Sequence, residues 1–208
     1  MKACKKSFEH CIVRHCAPTL AGLKPANMFT YHGCACNDFC NNRCELDATI
    51  ALCNARLAST GVSVTALAET KNGATIIFVY RPVLLEAKLR DPKVAKYLNS
   101  KDYRLGSVES AIACLREHMA CRGSAEFPHE IGLFLGYPID DVCAFIEGGI
   151  NCADCVGCWC AYSDTAEAQR TWCQYKICTK LCTNLFESGI SIAELPVLAY
   201  ECVGVRAA

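Results

Sequence analysis

Residues 62–80 place the tightest constraint on the fold. A β-branched run at 62–69 and a second apolar run at 74–80 are joined by Lys71-Asn72-Gly73. Asn-Gly between two such runs predicts a tight hairpin, because Asn and Gly tolerate the positive φ that the turn requires. An antiparallel pair must bury an apolar face, so helices have to cover it.

The rest of the chain supplies them. Cys4, Phe8, Cys11, Ile12 and His15 recur at helical spacing over 3–15, and Pro18 and Gly22 are expected to break that helix. The aromatic stretch 27–32 reads as a strand. Asp38 caps a helix to about Ser59, with Phe39, Leu46, Ile50, Cys53 and Leu57 inward. Further helices are expected at 83–90, 92–98, from a Ser107 cap to about Cys121, from Pro128 to Leu135, and over 139–147. Residues 156–162 read as a strand. A long last helix follows Ser163 or Asp164, to about Ser188, and Gly189 stops it. The fold class is α+β: a mixed or antiparallel sheet of about four strands, in a β-α-β-β-α-β order that suggests a ferredoxin-like sandwich with extra helices. Residues 1–208 form one domain without repeats or linkers.

Charge narrows the function classes. Lys plus Arg is 21 and Asp plus Glu is 21, so neither a nucleic-acid binder nor a polybasic membrane anchor is expected. No apolar run reaches transmembrane length, and the N-terminus has no signal-peptide core. The chain is therefore expected in the cytoplasm, where its 19 cysteines would be mostly reduced. The odd count and the length also argue against a disulfide scaffold.

Three segments stand out: HCAPTLAGLKPAN at 15–27, FPHEIGLFLGYP at 127–138, and CVGCWCAYSD at 155–164, followed by YKICT at 175–179. In that order the chain resembles an uncharacterised bacterial family, typical of anaerobes, known as a domain of unknown function. The resemblance covers about residues 8–195 and implies a single-domain cytosolic protein, with no reaction or cofactor to transfer. Cys158 and Cys160 stand where that family is expected to carry Tyr and Lys.

The same segments hold the candidate site residues. Cys16, with His129 as base and Glu130 beside it, has the residue types of a thiol nucleophile site. Against this, Cys16 can be a packed thiol, and Glu130 can serve the helix dipole. His15, Lys24, Asn27 and Tyr137 flank turns and helix ends, where binding sites are commonly built. If 15–27 and 127–138 share one cleft, Lys24 and the helix start at Pro128 would make it receptive to an anion. Cys152, Cys155 and Cys158, spaced C-x2-C-x2-C with Cys160 behind, have the ligand types of a zinc or Fe–S site. Cys34, Cys36, Cys40 and Cys44 beside His32 form a second Cys-rich stretch. No phosphate-binding glycine fingerprint is present. Three functions follow: a ligand-binding or accessory protein for a small molecule or protein partner, a thiol-dependent enzyme, and a metal-thiolate or Fe–S redox protein.

Overall fold

Along 75–80, Ile77 and Val79 alternate with Ile76, Phe78 and Tyr80, and every one of these side chains is buried or half-buried. A strand that is apolar on both faces needs helices on both faces. The computed structural model, which describes residues 7–33, 43–121, 127–148 and 155–204, has that arrangement.

Strands β1 (Ala26–Tyr31), β2 (Ser63–Glu69) and β3 (Thr75–Tyr80) form one sheet in the order β1-β3-β2, with β3 antiparallel to both neighbours. β1 and β2 are thus parallel, with β3 between them, and helix α2 (Arg43–Leu57) lies in their connection. This is a split β-α-β unit. The architecture is α+β.

One face of the sheet, with Phe29, Val64, Ile77 and Val79, packs on α1 (Phe8–Leu20), α2, α8 (Thr165–Glu187) and α9 (Leu195–Gly204). The other face, with Ala26, Leu67 and Phe78, packs on α3 (Pro82–Leu89), α4 (Pro92–Asn99), α5 (Val108–Cys121), α6 (Ile131–Phe134) and α7 (Ile139–Gly148). The result is three layers with a core on each side of the sheet.

The hairpin at 62–80 forms and Lys71-Asn72-Gly73 turns it as expected, without the positive φ expected at Asn72. The Gly73 amide donates to the Thr70 carbonyl, and the Thr70 amide to the Ala74 carbonyl. Gly73 alone takes a positive φ, +75°. The loop is therefore a three-residue turn closed by a left-handed glycine. Register shifts between Ala66 and Ala68, leaving Leu67 as the bulged residue.

Three expectations are corrected. Helix α1 runs through Pro18 to Leu20, with Ser7 as its cap. Pro18 leaves only the Arg14 carbonyl without its helical donor, and Arg14 is exposed, so water can serve it. The buried face is Phe8, Ile12, Val13, Cys16, Ala17 and Leu20, while His15 is exposed. Second, the expected strand at 156–162 does not join the sheet. Its residues form a separate hairpin, β4 (Cys155–Val156) with β5 (Cys160–Ala161), and Gly157, Cys158 and Trp159 make the turn. The sheet thus has three strands among the described residues, and the ferredoxin-like fourth position beside β1 is not filled by this segment. Third, the helix at 128–135 shortens to α6. Asp38, Phe39 and the thiols at 34, 36 and 40 lie outside the described residues. α8 starts as expected, with the Asp164 carboxylate accepting from the Glu167 amide, and ends before Gly189 at φ +101°.

Candidate functional site

Backbone geometry first brings the two singled-out segments together. Gly136 sits at φ +85°, and a Cβ there would lie 2.6 Å from Pro25 Cδ. Only glycine allows both that conformation and that approach. Arg81 locks the corner from behind. Its amide donates to the Pro25 carbonyl at 2.8 Å, and its guanidinium donates to the Thr19 carbonyl at 2.7 Å and to the Leu20 carbonyl at the end of α1. Thr19 Oγ1 donates to Asn27 Oδ1 at 2.8 Å, so Asn27 ties the corner together.

The same junction encloses Lys24, which is 4% exposed. Its Nζ stands 4.9 Å from the ring centre of Tyr137 and 5.7 Å from that of Tyr175. Burial pushes its pKa down to about 8, with the neighbouring Cys158 and Cys16 opposing that shift. Burial likewise raises Tyr137, and raises Tyr175 to about 12.

From Tyr137 a line of aromatic rings continues. Tyr137 stacks on Trp159 at 5.2 Å and donates its hydroxyl to the Cys158 carbonyl at 2.9 Å. Trp159 meets Trp172 edge-on at 5.3 Å. Gly157 lies flat on the Trp172 ring, where a Cβ would come within 2.4 Å of the ring. Asp141 anchors the β4–β5 hairpin to α7. Its carboxylate is buried and accepts from Trp159 Nε1 at 2.8 Å, the Tyr162 amide at 2.9 Å, the Ser163 amide at 3.1 Å and the Ser163 hydroxyl at 3.0 Å.

Between this hairpin and the α6–α7 segment lies a cleft of about 380 Å³. Phe127, Tyr137, Phe145 and Trp159 line it with apolar residues of α6 and α7, and His129 and Cys158 add polar groups. The His129 ring meets Phe145 edge-on at 5.0 Å. A second cleft, of about 330 Å³, lies on the Tyr175 side and carries Asp164 and Glu167.

The sequence-derived site residues divide accordingly. Lys24, Tyr137, His129 and Cys158 gather in or beside the first cleft. Cys16 does not open to it: the side chain is wholly buried in the core, and burial raises its thiol pKa far above the ordinary value. His15 stacks on Phe29 at 5.5 Å, on the other face of the sheet. Glu130 also turns inward, accepting from the Tyr103 hydroxyl at 3.3 Å and lying 3.4 Å from His118 Nδ1. It stands at the N-cap of α6 without a side-chain cap bond to that helix. Cys152 lies outside the described residues. Cys155 accepts from Gln169 Nε2 at 3.5 Å, on the flank of α8. Among the described residues no three His, Cys, Asp or Glu side chains converge as metal ligands.

The sequence does not single out Phe145 or Trp159 as cleft walls, nor Asp141 as the anchor of the hairpin. Asp141 carried a weak signal, as an acidic residue in the first turn of a helix; that signal marks a helix start and says nothing of a partner 18 to 22 residues on.

A family model described as "Protein of unknown function (DUF3793)" matches residues 12–196. The chain belongs to this family. Both cleft-forming segments, and the three-layer core apart from its ends at Phe8 and Ala199, fall within the matched DUF3793 region. No curated protein and no solved structure matches the chain. No described helix of this DUF3793 protein is long and apolar enough to cross a membrane.

Proposed function

We propose that this protein binds a small molecule in the cleft between the α6–α7 segment and the β4–β5 hairpin. One observation carries the reading. A cleft of about 380 Å³ carries four aromatic side chains on its walls. That volume and lining are typical of small-ligand sites, in which a few polar groups set orientation. His129 and Cys158 are placed for that task.

Rigidity supports the same reading. The wall carrying Trp159 is pinned by four hydrogen bonds to Asp141, and the wall carrying Tyr137 is fixed by the Gly136–Pro25 contact. A site held open before binding spends less of its interaction energy on ordering. The thiol-enzyme alternative built on Cys16 and His129 loses ground, because an enclosed thiol with a raised pKa is a poor nucleophile.

The test is calorimetric titration with 1-naphthamide, a neutral planar aromatic probe. Binding is expected, and Phe145→Ala should weaken it about tenfold by removing one aromatic wall. Ile146→Ala, on the exposed side of the same helix, should leave it unchanged. No binding by the parent protein, or equal binding by Phe145→Ala, would overturn the proposal.

A further inference from the structure

We infer that the ligand of this cleft is an aromatic monoanion whose acid group pairs with the Lys24 ammonium. The inference rests on the cleft being a binding site and adds the chemical class of what it takes. A lysine is almost never enclosed unless paired, because stripping water from an ammonium is costly. Lys24 is 4% exposed, and no carboxylate among the described residues lies within ion-pair distance of it.

The groups facing Lys24 from each packed element do not supply the missing charge. They are Cys16 on α1, Tyr137 ahead of α7, Cys158 in the hairpin turn and Tyr175 on α8. Every one of these thiols and hydroxyls is shifted upward, so all remain neutral near pH 7. Lys176 on α8 adds a second positive charge near Cys158. The faces of Tyr137 and Tyr175 favour a cation, which offsets part of the cost and leaves the charge uncompensated.

Two neighbours of Lys24, Tyr137 and Cys158, are also walls of the cleft. Lys24 itself lines neither cleft, so the ligand's acid group has to reach the amine at the Tyr137–Cys158 edge of the first one. Asp141 is the one carboxylate lining the cleft, and its oxygens are already engaged by Trp159, Tyr162 and Ser163. A single buried cation selects a single negative charge, and the ring-lined walls select a planar apolar body. The second cleft is the poorer anion site, because Asp164 and Glu167 line it.

The experiment compares 1-naphthoate with neutral 1-naphthamide by calorimetric titration at about pH 6.5, where a carboxylate is ionised. The parent protein should prefer naphthoate by about tenfold or more. Lys24→Met, and independently Lys24→Gln, should abolish that preference while leaving naphthamide affinity within about twofold. In a His129→Gln background, which removes the imidazole from the cleft, the preference should decline as pH rises through about 8. Naphthamide binding without a naphthoate preference would overturn the inference and leave the cleft proposal standing. A preference that survives in both Lys24 variants would overturn it too. Failure of both probes to bind would defeat the cleft proposal and this inference together. Should the Lys24 variants not fold, the two-probe comparison on the parent protein and its pH course still decide the matter.

Discussion

At Gly136 two demands meet in one residue, a left-handed backbone and a contact with Pro25 that leaves no room for a methyl group. Gly136→Ala adds both costs, strain at positive φ and overpacking against a proline ring that cannot swing away. Together these should destabilise the fold by about 2–4 kcal/mol, read by urea unfolding. Gly73→Ala serves as the comparison. Gly73 has a similar φ, +75°, with nothing near its would-be Cβ, so it should lose only the strain part, about 1–2 kcal/mol. Equal losses at the two sites would show that the Pro25 contact carries no weight.

Lys24 makes a pH prediction of definite sign. Its folded pKa, about 8, lies below the ordinary lysine value of 10.5. Between those values the unfolded chain binds more protons than the folded one, so the Lys24 contribution to stability rises with pH across that window. Lys24→Met should therefore stabilise the ligand-free protein most near pH 7, and the gain should shrink towards pH 10. Buried Cys53, with a raised thiol, acts in the opposite direction above about pH 9 in both proteins and cancels in the difference, whereas Cys16 interacts with Lys24, so the trend is read below about pH 9. A gain that grows with pH would refute the sign.

Among the elements, the β4–β5 hairpin is the least self-sufficient. It has only two residues per strand, and such a ribbon does not hold alone in water. What holds it is Asp141 on α7 and the Gly157–Trp172 contact on α8. Asp141→Ala leaves two backbone amides and an indole N–H without their acceptor, which should cost roughly 3 kcal/mol. It should also release one wall of the cleft, so naphthamide affinity should fall with stability. Asp141→Asn keeps acceptor oxygen and should lose less of both. Intact affinity in Asp141→Ala would show that the hairpin docks by packing alone.

Legibility from sequence followed locality. The hairpin at 62–80 and helices α3, α4 and α8 were readable because their signals sit in a few adjacent residues: Asn72-Gly73, Pro82, Asp91-Pro92 and Asp164. Pro18 misled: the helix runs only two residues past it, and the one carbonyl it orphans belongs to Arg14, whose exposure is a tertiary fact. Helix α9 was missed although a capping signature precedes it, with the Glu194 carboxylate accepting from the Ser191 amide at 3.1 Å. In the cleft, the segments were legible as irregular, Gly- and Pro-marked stretches. Which of their polar residues face inward was not. Cys16 and Lys24 are both enclosed, and only the packing of Tyr137 and Tyr175 distinguishes the enclosed amine from the enclosed thiol.

For the whole molecule, the consequence of the three layers is mechanical coupling. The two cores share no helix, but they share β3, whose adjacent residues Ile77 and Phe78 point into opposite ones, both 0% exposed. A cavity on either side therefore loosens the strand that both sides require. We predict that Ile77→Ala and Phe78→Ala lower stability by about 2–5 and 3–5 kcal/mol, and that each shifts one common unfolding transition. Far-ultraviolet dichroism follows the helices of both layers, whereas fluorescence follows Trp159 and Trp172, which sit in a third small cluster beside the hairpin. If the chain is one cooperative unit, both signals move together in both variants. Separate midpoints for the two signals, or a variant that moves one signal and leaves the other in place, would show that the tryptophan cluster unfolds apart from the layered core. The single-domain reading of 1–208 would then fail.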